Sequence, residues 1–93
     1  MKIFYYNPDN TNIYEFQNEN KLTIHELTIQ AIRECIVSDL DELQFMKIMP
    51  TNTIFTVKRH LFKDSLDKAI SYFESIEMYE KCPECVELLN LID

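Results

Sequence analysis

Cys82 and Cys85 stand two residues apart in the stretch Glu80-Lys81-Cys82-Pro83-Glu84-Cys85. That spacing suits half of a zinc site or a dithiol redox pair. Structural zinc takes four ligands, and the other candidates, Cys35, His25 and His60, are single residues in different parts of the chain. A thiol at a helix N-terminus has a lowered pKa, which favours redox chemistry at Cys82. Glu80, Glu84 and Glu87 oppose it, because like charge disfavours a thiolate. The plain reading is that Cys82 and Cys85 line a corner between two helices as small apolar side chains.

The other chemistry-bearing residues form no catalytic set. His25-Glu26 begins an H-E-x-x-H zinc motif, but Ile29 stands where the second histidine belongs. His25 falls in the first turn of a helix and is expected at the surface. Glu74, Glu77, Glu80, Glu84 and Glu87 recur every three or four residues. On one continuous helix they would form an acidic stripe, able to mimic a phosphate backbone toward a DNA-binding partner. The plain reading is a solvated helix face, broken at Pro83. Phe4, Tyr5, Tyr6, Tyr14 and Phe16 crowd the N-terminus. Strand alternation sends Phe4 and Tyr6 to one face and Ile3 and Tyr5 to the other. Tyrosine at a sheet surface is interface chemistry, so Tyr5, Tyr6 and Tyr14 are the first candidates for partner contact, with Glu74 and Glu77 beside them.

The totals narrow the field. Ninety-three residues form a single domain, 1–93, with an apolar fraction of 46% and a charged fraction of 27%, ordinary globular composition. Net charge is −7, and the only basic cluster is Lys58-Arg59-His60 with Lys63. An acidic chain with so small a basic patch is not expected to bind nucleic acid directly. Glycine is absent, which removes the Gly-rich phosphate cradles and the Ser nucleophile elbow. No apolar run reaches membrane-spanning length and no signal peptide is evident, so a cytoplasmic protein without membrane contact is expected. Three cysteines, an odd and small number, suit a reducing compartment. No cofactor is implied.

The elements that would position these residues follow from periodicity and turn chemistry. Residues 2–6 read as a strand, Asn7-Pro8-Asp9-Asn10 as a turn, and 12–16 as the returning strand of a hairpin. Thr23 and Glu26 have the spacing of a capping box, with helix from Ile24 to Val37. Residues 44–49 are ambiguous between helix and strand. Residues 53–58 read as a strand, favouring a second hairpin of 44–49 with 53–58 through the turn Pro50-Thr51-Asn52. The two turns echo each other, raising a duplicated hairpin–helix unit. A helix is expected over 62–80 and a second from Pro83 to Leu91, with the corner at Pro83 and Cys82 at the cap.

Phe73-Glu74-Ser75-Ile76-Glu77-Met78-Tyr79-Glu80-Lys81-Cys82 resembles the F-E-x-I-E-x-Y-E-K-C helical tails of small uncharacterised proteins of bacteria and their phages. The resemblance covers about a tenth of the chain and implies no activity. It implies that Tyr79 and Cys82 pack at the corner of the tail.

The chain is therefore expected to be an α+β domain. One or two hairpins form a small antiparallel sheet packed on a helix, with a C-terminal helix–corner–helix. Its expected function is non-enzymatic protein binding, as in a small inhibitor, immunity or phage counter-defence protein, with homodimerisation through an edge strand as a further expectation. The alternatives are a metal- or thiol-based regulator using Cys82 and Cys85, and an acidic mimic of nucleic acid.

Overall fold

The computed structural model describes residues 1–92. It is a small α+β fold with a three-stranded sheet in the order β1-β2-β3. The strands are β1 (Lys2–Tyr5), β2 (Glu42–Met49) and β3 (Thr53–Lys58). The helices are α1 (Ile13–Glu19), α2 (Lys21–Ser38), α3 (Phe62–Ser75) and α4 (Cys82–Ile92). Single 3-10 turns occupy Arg59–Leu61 and Tyr79–Lys81.

The first expected hairpin does not form. Residues 13–19 are helical, and β1 pairs in parallel with β2, Phe4 opposite Ile48 and Tyr5 opposite Met49. The sheet is therefore mixed rather than wholly antiparallel. Ile13, Phe16, Gln17 and Asn20 are the less exposed positions of this stretch, a spacing of three and four residues that belongs to a helix. The cap is local: the Glu15 N–H donates to Asn12 Oδ1 at 2.9 Å, and the Thr11 hydroxyl donates to Glu15 Oε2 at 2.8 Å. The duplicated hairpin–helix unit is overturned with the hairpin.

Thr23 does not cap α2. Asn20 is the joint between α1 and α2, its side-chain N–H donating to Phe16 O at 2.8 Å while its own carbonyl accepts the Ile24 N–H at 3.0 Å. The second hairpin forms over the expected residues, with Lys47 opposite Ile54 and Ile48 opposite Thr53. Its alternation is interrupted by a bulge between Gln44 and Met46, which leaves Phe45 as the extra residue. The bulge accounts for the ambiguity of 44–49, because one inserted residue breaks the period of two. Asn52 holds the turn with φ 59°.

Helices α2 and α3 both end on a left-handed residue. Asp39 (φ 54°) follows α2, and the Leu40 N–H donates to Cys35 O at 2.8 Å. Glu77 (φ 60°) follows α3, and the Met78 N–H donates to Phe73 O at 2.8 Å. These are Schellman closures, which usually use glycine. With no glycine in the chain, aspartate and glutamate occupy the position instead. The helix–corner–helix is present, but α3 stops at Ser75 and the chain turns at Glu77, not at Pro83. Pro83 sits in the first turn of α4, where its missing N–H costs nothing.

The core lies between α2, α3, α4 and one face of the sheet. Ile32, Cys35, Leu66, Phe73, Cys85 and Leu88 are fully buried in it, with Phe62 from the start of α3 and Val57 from the sheet. Met46 and Ile48 of β2 are also fully buried. Phe16 of α1 meets Phe4 and Tyr6 with ring centroids at 6.2 and 5.7 Å, which places α1 over that same face. Among the described residues, no helix is long and apolar enough to cross a membrane.

Candidate binding face

Ladder register sorts the sheet residues into two faces. Phe4, Met46, Ile48 and Val57 point into the helical layer. The opposite face carries Ile3, Tyr5, Gln44, Lys47, Met49, Ile54 and Thr56 by the same register. On it Ile3 is 50%, Tyr5 74% and Ile54 42% exposed. These values match a sheet with helices on one side only. Ile3 and Ile54 flank Lys47 across the three strands, and Tyr5 lies opposite Met49 in the next row. Among the described residues Lys47 forms no ion pair.

The three tyrosines do not share a hairpin surface. Tyr5 lies on the open face. Tyr6 faces the other way, half-buried against Phe16, and its N–H donates to Met49 O at 3.1 Å. Tyr14 is exposed on α1. Lys47, Met49 and Ile54 accompany Tyr5 on the open face, and none of them is among the sequence candidates. The alternation of TIFTVK would have found Ile54, but only the pairing of β1 with β2 brings Ile3 beside Lys47.

The glutamates divide. Arg33 of α2 reaches Glu84 at 3.0 Å and Glu87 at 3.7 Å, tying α4 to α2. Exposed pairs of this kind contribute little energy, but they occupy two of the five glutamates of the expected stripe. Glu74 lies near the end of α3, Glu77 is the left-handed turn residue and Glu80 sits in the following 3-10 turn; all three are exposed. Arg59 of the basic cluster is similarly occupied. The Arg59 guanidinium contacts Asp41 Oδ1 at 3.1 Å, donates to Leu40 O at 2.7 Å and lies 5.7 Å from the Phe62 ring centroid. It holds the α2–β2 loop against the start of α3.

Cys82 is half-buried at the start of α4, and Cys85 is fully buried. Burial, with smaller contributions from Cys82 and Glu84, pushes the Cys85 thiol up to about 11. Such a thiol is almost wholly protonated at neutral pH and a poor nucleophile or ligand. No group of three or more His, Cys, Asp or Glu side chains converges among the described residues. Tyr79, expected to pack at the corner, is 59% exposed, whereas Cys82 does pack against the core.

His25 is half-buried rather than exposed. Its ring stacks on Tyr72 with centroids at 4.8 Å and meets the edge of Phe73 at 6.2 Å. Burial, then the nearby Lys21 charge, lowers its pKa. A cleft of about 210 Å³ opens beside it, with Ile24, Phe45 and Phe55 among its walls and Ser65 and Lys68 also lining it. No hydrogen bond joins His25 to Ser65 among the described residues, and Lys68 is paired with Asp64 at 3.0 Å. The cleft offers apolar contact without an activated nucleophile.

Comparison with protein-family models, with curated proteins and with solved structures returns no significant match. The fold itself defines the class: a small α+β domain with an open three-stranded sheet.

Proposed function

We propose that this chain is a non-enzymatic protein-binding module that docks a partner through the open face of its sheet. A small inhibitor, immunity or counter-defence protein acts in this way, by direct contact. The observation that carries the reading is the exposure of Ile3, Tyr5 and Ile54 together on one face. Water-exposed apolar groups gathered on a rigid sheet are a ready contact surface, and tyrosine is among the residues that dominate interface energies.

The test is capture of partners from a lysate of cells that express the protein, read by mass spectrometry. The double substitution Tyr5→Ser with Ile54→Asp is compared with wild type and with Tyr14→Ser. The open-face pair is expected to weaken capture of a wild-type partner at least about 30-fold, the effect of losing one interface hot spot. Thermal melts show whether the variants stay folded. Undiminished capture by the folded double variant would sink the reading.

A further inference from the structure

We infer that the open face takes an amphipathic helix of a partner protein, seated by a carboxylate on Lys47; this deepens the proposed docking role and rests on it. Three observations lead there.

The first is the sheet itself. β1 and β2 run parallel, joined by a crossover through α1 and α2. Sheets built wholly of parallel strands are covered on both faces and apolar on both, and this mixed sheet contains one such pair. β1 fits that pattern: Phe4 faces the helical layer while Ile3 and Tyr5 face out. One covering layer is present and the other is missing.

The second is size. Neighbouring strands lie about 4.8 Å apart, so the outer strands are separated by about 10 Å. One α-helix, about 10 Å in diameter, spans that width and completes the layer.

The third is charge. Lys47 sits half-buried between Ile3 and Ile54, among the described residues the only charge in the apolar part of the face. The other outward charges, Glu42 and Lys58, lie opposite each other at the far end of the hairpin. A carboxylate placed over Lys47 gains a partly desolvated ion pair, whereas a cation there is repelled. A second copy docked face to face would set Lys47 against Lys47 in a complex of two chains of net charge −7. The glutamates of α3 and α4 belong to the helical layer, on the other side of the sheet. At physiological salt their repulsion is screened over about 8 Å.

The experiment uses the full chain, labelled with nitrogen-15, and two synthetic helices of roughly 14 residues, about 21 Å long. Both carry the same leucine stripe; one is flanked by glutamates, the other by lysines. The glutamate helix is expected to shift the amide signals of Ile3, Tyr5, Lys47, Met49 and Ile54. It should bind about five-fold or more tighter than its lysine twin at low salt, and Lys47→Glu should reverse the preference. Equal binding of both helices at this face overturns the charge assignment and leaves the docking face standing. Shifts confined to another surface overturn both. No binding of either helix overturns the helix as occupant, and the capture experiment then decides the face alone. Concentration-dependent dimerisation that shifts these same signals would assign the face to a second copy instead. The spectrum of free Lys47→Glu shows whether that variant is folded, and the wild-type comparison of the two helices needs no variant.

Discussion

Replacing Glu77 with glycine should stabilise this protein. Glu77 holds φ 60° at the end of α3, where the Met78 N–H closes on Phe73 O. A non-glycine residue in the left-handed region costs roughly 1–2 kcal/mol, because Cβ crowds the following carbonyl. Glycine removes that cost but adds freedom to the unfolded chain, worth about 0.5–1 kcal/mol. The Glu77 side chain forms no ion pair among the described residues, so nothing else of that kind is lost. The balance is a gain of about 0.5–1 kcal/mol, or about 2–8 °C in Tm for a domain of this size. Urea denaturation of wild type, Glu77→Gly and Glu77→Val measures it. The glycine variant should move the midpoint upward at an unchanged m-value, and the β-branched valine should move it downward. A glycine variant no more stable than wild type, with valine no worse, would refute the claim that the corner is strained. The same variant separates two roles for Glu77. If capture of a partner falls while stability rises, the carboxylate belongs to the interface as well as to the corner.

Two further outcomes follow from buried groups. His25 has its pKa lowered by burial against Tyr72 and Phe73, so the unfolded chain takes up a proton more readily than the folded one. Stability should therefore fall as pH drops below the unfolded value of about 6.5, down through the lower folded pKa. His25→Gln should lose that component when urea midpoints at pH 7.5 and pH 5.5 are compared with wild type. Among the thiols, Cys35 and Cys85 are fully buried and Cys82 is not. Native protein should expose one thiol to Ellman's reagent quickly, abolished by Cys82→Ser, with the others reacting only on unfolding. Rapid reaction of Cys85 in the folded state would restore the thiol-regulator alternative.

Much of the architecture is legible in local chemistry. The helical periodicity of 24–37 and 62–80, the turn at Pro50-Thr51-Asn52 and the alternation of 53–58 each name their element, and each forms, although the helix expected over 62–80 stops at Ser75. The first expected hairpin gives way to a helix because Ile13, Tyr14 and Phe16 suit a strand by type while their spacing suits a helix as well. The Asn12–Glu15 cap was the deciding signal, and it is as local as the turn that outweighed it. The corner lies at Glu77 rather than at Pro83 for a similar reason. Proline marks helix ends visibly, whereas nothing in the sequence announces a glutamate in the left-handed region.

Local chemistry alone dictates a glycine-free, acidic chain whose helix ends must close on other residues, and a β2–β3 hairpin whose turn is written in three residues. For β1, the strand it pairs with is set by long-range packing. Its partner lies some forty residues downstream, and no local pattern distinguishes that strand from a nearer one. The choice is made by burial: Phe4 needs Phe16 and Ile48 on one side, and the crossover through α1 and α2 supplies both. The same pairing turns Tyr6 inward and sets Lys47 between Ile3 and Ile54. The candidate binding face is therefore a product of long-range register, which is why tyrosine content alone could point toward it but not outline it.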